Sequence, residues 1–226
     1  MDARRRPFAL LRLYSPTAGQ LQREPSVTKR RISHLRTEER EEAVRSLEWA
    51  ATQSSLIAAD PYIWKWVLVS LHNAVQGFLV LALWNGNGLQ TMKPKLSEKW
   101  LSALEGSGAF PGDRLDDFLS LYEKAKNDSS FHLVGAKPFV PGANHDWSME
   151  RLSEFRNEFI HFRPKRWALE LAGLPAICLD VLAIIRHFGW ETTLINWYKS
   201  GFVTRAKRAH NLLRKELLAL KGAYAE

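Results

Sequence analysis

Apolar residues recur at helical spacing along most of the chain. In residues 37–59, apolar side chains that include Val44 and Leu47 repeat every three to four positions, as on one face of an α-helix. Acidic residues crowd the first turn, where they interact favourably with the helix dipole, and Asp60 followed by Pro61 ends the pattern. The pattern therefore predicts a first helix over residues 37–59.

Similar patterns predict six more helices. They cover 61–84, 96–106, 113–126, 147–162, 166–188 and 203–221. The NGNG run at 85–88 separates the second predicted helix from the third. Two prolines and two glycines predict a long irregular connection at 127–146. Because no stretch alternates apolar and polar residues for a useful length, we predict an all-α helical bundle with additional short helices.

The positive charge lies mainly at the amino terminus. The chain has 226 residues and a net charge of +8, and residues 1–37 hold nine Lys or Arg against two acidic residues, a net +7. We predict a flexible basic arm at 1–37 and a helical domain at 38–221. The arm has three interpretations: a solvated tail or misassigned start, a segment attracted to RNA phosphates, or an Arg-rich transit-like presequence.

Two apolar runs raise the question of a membrane span. Lys65, His72 and Asn73 interrupt the run at 61–84, and Glu170, Pro175 and Asp180 interrupt the second apolar run, at 167–188. Charged and polar groups are costly inside a bilayer. We therefore expect both runs to be core helices and expect no membrane association.

The single cysteine and the absence of common binding motifs narrow the classes of chemistry that the chain could perform. The chain has one cysteine, Cys178, in an apolar run, which favours a buried thiol in a reducing compartment. No zinc spacing and no phosphate-binding glycine loop are present. We expect a cytoplasmic protein without metal or cofactor.

The segment RNEFIHF at 156–162 holds the candidate chemistry. A helical wheel over residues 149–162 places one apolar stripe against one polar stripe. The apolar stripe holds Leu152, Phe155, Phe159 and Phe162. The polar stripe includes Glu154, Asn157 and His161, and Arg156 sits on its flank, about 120–140° away on an ideal helix, within reach through its long side chain. Pro164 places His161 in the last turn.

A simple interpretation competes with a functional one. A polar stripe opposite an apolar stripe is normal for any surface helix. The Arg-x4-His spacing also occurs twice in this Arg-rich chain, at RNEFIH (156–161) and at RAKRAH (205–210). Only the first places Asn directly after Arg.

With that Asn and its late position in a helical chain, RNEFIH resembles the motif of the HEPN superfamily (higher eukaryote and prokaryote nucleotide-binding). The resemblance covers roughly residues 38–221 in architecture and this short motif in sequence. It implies a HEPN-like up-and-down bundle and metal-independent cleavage of RNA by a homodimer, with Arg156, Asn157 and His161 as catalytic residues. It also implies a toxin–antitoxin setting, with an antitoxin protein as a further partner.

The residue types suit that chemistry. Histidine can take the proton of a ribose 2′-hydroxyl, and arginine can stabilise the charge of a pentavalent phosphate. We name three further residues as substrate-binding candidates: Glu154, His72 and Asn73. The alternative for Glu154 is a solvated surface acid, and for His72 and Asn73 it is a satisfied core polar group or a solvent-facing strip.

Two alternatives to a ribonuclease stay open. The chain is then either a non-catalytic HEPN-like module that binds RNA or nucleotide, or a helical protein-interaction module in which the motif is coincidental.

Overall fold

The structure is a computed structural model of the whole chain. It describes residues 34–35, 37–84, 86–112, 114–131, 137–161, 164 and 166–225. The chain divides into two units, Met1–Arg36 and Thr37–Glu226. The predicted arm at 1–37 lies almost wholly outside the described residues and stays a prediction.

Within the described residues the chain forms seven α-helices and no β-strand. The helices are α1 (Glu39–Ser54), α2 (Trp64–Leu83), α3 (Pro94–Leu104), α4 (Phe118–Ala125), α5 (His145–Ile160), α6 (Leu174–Arg186) and α7 (Ser200–Ala223). Short 3-10 turns at Pro61–Ile63, Leu89–Thr91 and Asp128–Ser130 and a π-helical turn at His187–Glu191 connect some of them. The predicted all-α class is confirmed.

Helix α2 is the centre of the fold. It packs against α1, α4, α5 and α6, and α7 closes the other side by packing on α1 and α6. Apolar residues surround α2 on nearly all sides, as expected of a helix buried among others. The 3-10 turn Pro61–Ile63 leads directly into α2, and Asp60 caps this turn by accepting a hydrogen bond of 2.9 Å from the backbone of Tyr62.

By length and composition, the stretch Pro61–Leu83 could also cross a bilayer, with a mean hydropathy of 1.7. In the fold, 67% of its most apolar window is buried. Neighbouring helices therefore cover most of the apolar surface that a lipid would otherwise contact.

The predicted helix at 113–126 is wrong in its first part, because α4 begins only at Phe118. Leu115 instead forms an isolated bridge with Met92, and the Asp116 amide donates to the Thr91 carbonyl at 2.8 Å. These contacts to a distant segment replace the hydrogen bonds that a helical turn would supply.

Lys124 fixes the same region from α4. Its ammonium group forms an ion pair with Asp116 at 2.7 Å and donates to the carbonyls of Gln90 at 3.1 Å and Met92 at 2.6 Å. The Asp116 side chain is itself buried. One lysine thus ties α4 to the segments on either side of α3.

The predicted helix at 166–188 is also wrong at its start. Residues 166–173 are not helical and α6 begins at Leu174, with Pro175 in its first turn. Proline suits that position because the first-turn amides have no helical partner. The segment left out of the helix forms one wall of the groove described below.

Candidate functional site

The RNEFIH segment forms the last turns of α5. Leu152 and Phe155 are buried and Phe159 is half-buried against Trp167, with ring centroids 5.0 Å apart, so these residues face the core as predicted. Phe162 lies outside the described residues. The opposite face points to solvent.

Arg156 and Asn157 are in direct contact. The guanidinium Nη1 of Arg156 donates to Oδ1 of Asn157 at 3.0 Å. Arg156 is half-buried and Asn157 is exposed. The long side chain therefore does turn toward the polar stripe, and the amide restricts where its positive charge can lie.

His161 caps the end of the same helix. Its backbone amide donates to the Asn157 carbonyl at 3.0 Å, its φ and ψ of −91° and 38° leave the helical region, and its side chain is exposed. The imidazole therefore lies within about one turn of Asn157 along the chain and is open to solvent.

His72 is a buried imidazole near Arg156. It is 3% exposed, stacks on Phe118 of α4 with ring centroids 4.0 Å apart, and its Nδ1 has no hydrogen-bond partner among the described residues. The pKa of His72 is lowered from 6.5 to about 4, mainly by burial and secondarily by the positive charge of Arg156, while a hydrogen bond with the Asn73 side chain acts in the opposite direction. His72 is therefore neutral at physiological pH.

This burial bears on the candidate roles of His72 and Asn73. The interpretation of His72 as part of a solvent-facing strip is wrong, because its side chain is buried. Asn73, in contrast, is exposed. Their contact with a substrate stays a prediction, and for His72 it would require a movement that opens the Phe118 contact.

Glu154 lies on the exposed face of α5 and forms an ion pair with Arg151. The Arg151 guanidinium in turn lies 4.5 Å from the centroid of the Phe155 ring. This ion pair lies on the exposed face of α5, and a contact of Glu154 with a substrate stays a prediction.

Glu154 and Asn157 both line a groove on the surface of the protein. It has a volume of about 750 Å³ and runs between α5, the segment 167–173 and the start of α6. Trp147 and Trp167, both exposed, are among its lining residues. Part of the polar stripe of α5 therefore lines a concave surface.

The second Arg-x4-His pair has a structural role. Arg205 of α7 holds Glu41 and Glu48 of α1 through four hydrogen bonds of 2.7–3.0 Å. His210 is buried, and its Nε2 lies 3.2 Å from the Leu182 carbonyl. Both side chains thus join helices, in contrast to the open positions of Arg156 and His161.

His145 and Cys178 have surroundings that fit structural roles. His145 accepts a hydrogen bond from the Gly142 amide at 2.8 Å on Nδ1. Burial raises the pKa of the Cys178 thiol, which leaves it protonated and unreactive. Among the described residues, no group of three or more His, Cys, Asp or Glu side chains is placed to hold a metal ion.

Comparison with known proteins adds no relative. No protein-family model, no curated protein and no solved structure matches the chain at a significant level. Function must therefore be argued from the site itself.

The structure brings Arg156 and Asn157 into contact, places His161 next along the helix and puts His72 under the influence of Arg156. Glu154 lies on the groove side. Sequence reasoning missed Phe118 and Arg151 as neighbours of these residues. Phe118 carried a signal only as an apolar helix position, and Arg151 only as a charge three residues before Glu154.

Proposed function

We propose that this protein is a metal-independent endoribonuclease with a HEPN-type bundle. The supporting observation is a fixed cation and an imidazole that are both reachable from solvent at one helix end: Arg156 bonded to Asn157, and the exposed His161. Each is a residue type that RNA cleavage without a metal requires.

The proposed reaction is a transesterification. His161 accepts the proton of a ribose 2′-hydroxyl, whose oxygen attacks the adjacent phosphorus. Arg156 stabilises the negative charge of the pentavalent phosphate through paired N–H donors, and Asn157 holds the guanidinium in place. The bond to the 5′-oxygen breaks, and that oxygen takes a proton. The products are a 2′,3′-cyclic phosphate and a 5′-hydroxyl.

A second copy of the chain would supply the acid. One imidazole cannot be both base and acid in a single step, so we propose a homodimer in which His161 of the partner subunit protonates the leaving oxygen. RNA as the substrate class and an antitoxin protein as a partner are implied only by the family resemblance.

The decisive experiment is cleavage of a fluorescent RNA by the purified chain in EDTA. We expect cleavage of the RNA and none of the same sequence as DNA. His161→Ala should lower the rate by roughly 10²–10⁴-fold and Arg156→Ala by roughly 10²–10³-fold. Arg208→Ala, an exposed arginine on α7, is the matched charge control and should leave the rate unchanged.

Cleavage that depends on magnesium, or that survives His161→Ala, would contradict this proposal. The concentration of basic residues in 1–37 favours a second candidate, RNA binding without catalysis. That function predicts salt-sensitive RNA binding that weakens when residues 1–37 are deleted, with no cleaved product.

A further inference from the structure

A second cavity lies at the far end of α2. It has a volume of about 390 Å³, within the range that small-molecule sites occupy. Its walls come from the last turns of α2, the segment 87–92, α3 and the segment 114–115. Trp84, which lines this cavity, follows the last residue of α2 and is twelve positions after His72, a distance of about 18 Å along the helix.

Two indoles form its aromatic walls. Trp84 is 47% exposed and its ring lies against Gly88, where an added Cβ would meet the ring at 3.2 Å. Gly88 also has a φ of +71°, which favours glycine. Trp100 of α3 packs on Phe110, with ring centroids 4.9 Å apart. The glycine and the phenylalanine therefore hold the two rings in position.

Two of the segments that line the cavity are held together by an ion pair and hydrogen bonds in the absence of a ligand. Met92, Leu115 and Thr91 line it, and they belong to the two segments that Lys124 and Asp116 fasten together. A preorganised wall loses little conformational freedom on binding, which favours affinity.

Two polar features indicate what the cavity would take. Arg114, an exposed residue on the lining, carries a permanent positive charge that suits a phosphate. The indole nitrogen Nε1 of Trp100 is buried and makes no hydrogen bond within the described part of the chain, which is uncommon for tryptophan. Were the indole to turn toward the cavity, an acceptor atom on a ligand would remove the cost of leaving this N–H unpaired.

We propose that this cavity binds one nucleotide unit, with the base stacked on Trp84 and the phosphate on Arg114. Stacking on tryptophan suits any nucleobase, because each has a planar π-face. The site does not rest on the ribonuclease proposal, since it shares no residue with the RNEFIH segment. The unit is either a free nucleotide or one residue of an RNA strand.

The test is calorimetric titration of the full chain with adenosine 5′-monophosphate, adenosine and ribose 5-phosphate. We expect the monophosphate to bind, adenosine to bind more weakly, and ribose 5-phosphate not to bind. Trp84→Leu should weaken the monophosphate by roughly tenfold or more. Arg114→Gln should weaken it by roughly tenfold without changing adenosine.

Trp49→Leu is the control, because Trp49 is an exposed tryptophan on α1 away from the cavity. Arg114→Gln changes an exposed side chain, so it keeps the test valid even if Trp84→Leu unfolds the protein. A monophosphate that does not bind at roughly 10 mM, or that binds equally well to Arg114→Gln, overturns a free-nucleotide site.

Titration with a short oligoadenylate distinguishes a free nucleotide from one residue of an RNA strand as the occupant. If it binds where the monophosphate does not, and the two variants weaken it, the occupant is a base of an RNA strand. If neither ligand binds, or the variants leave both affinities unchanged, the cavity is not a nucleotide site.

Discussion

His72 is neutral at physiological pH because the fold makes its protonation costly. It is buried against Phe118 and lies under the positive charge of Arg156, and its pKa falls from 6.5 to about 4. Between these two pH values the unfolded chain therefore binds more protons at this residue than the folded chain does. The free energy of unfolding is retained above about pH 6.5 and decreases as the pH falls toward 4.

We predict that His72→Leu removes part of this pH dependence. The wild-type chain should lose roughly 2–3 kcal/mol more stability than the variant between about pH 7 and pH 4. Urea unfolding at a series of pH values measures both curves. The half-buried His187 and the buried His210 are present in both proteins, so their contributions cancel in the difference.

The source of the shift can be checked in the same protein. Arg156→Ala should raise the pKa of His72 in an NMR titration, and Arg208→Ala should not. Identical pH dependence in wild type and His72→Leu would contradict the burial of this imidazole.

For individual residues, the sequence predicted the position on a helix better than it predicted burial and contacts. Helical spacing placed Arg156, Asn157 and His161 on the last turns of one helix. It could not decide whether His72 is exposed, because that depends on Phe118, which comes from another helix 46 residues later. Nor could it identify Arg151 as the partner of Glu154 rather than a free surface charge.

Helices α1 and α2 approach each other closely at Gly77. A Cβ added to Gly77 would lie 2.7 Å from the Cβ of Ala43 and 3.1 Å from its Cα. Because backbone is involved, the contact cannot be relieved by turning a side chain. The small residues at both positions therefore set the distance between the central helix and α1.

We predict that Gly77→Ala destabilises the protein by about 1–3 kcal/mol, although alanine has the higher helix propensity. Gly222→Ala is the matched control in α7, since a Cβ there meets nothing within 4 Å. Its stability should be unchanged or slightly increased. Chemical denaturation measures both, and equal stabilities of the two variants would exclude a tight α1–α2 contact.

Helix boundaries show which elements the sequence could predict. The existence of each helix followed from periodicity, and Pro61 correctly marked the start of the 3-10 turn that leads into α2. The starts of α4 and α6 were predicted too early. The start of α4 was predicted too early because residues 114–117 contact residues 91–93 and do not form a helical turn. No local pattern in the sequence encodes these contacts.

The proposed catalysis belongs to the assembled molecule, because the second imidazole comes from a partner chain. We predict that the rate of RNA cleavage per mole of chain falls on dilution, as the dimer dissociates. Cleavage assays over a concentration series, with sedimentation at the same concentrations, measure this. A constant specific rate at concentrations where only monomer sediments would exclude the composite site.

Some properties of this protein follow from sequence alone. The 3.6-residue repeat of apolar positions determined that the chain is helical, and it placed Arg156 and His161 on the same part of one helix. These are local properties, because helical geometry relates each residue to neighbours three and four positions away.

Other properties were decided only by the tertiary structure. Arg156 and Arg205 have the same spacing to a histidine, yet Arg205 is held by two carboxylates of α1, 157 and 164 residues away along the chain, and Arg156 is not. The burial of His72 and the cavity between Trp84 and Trp100 likewise arise where distant segments meet. Burial and charge pairing depend on which distant residues come together, and periodicity along the chain does not specify that.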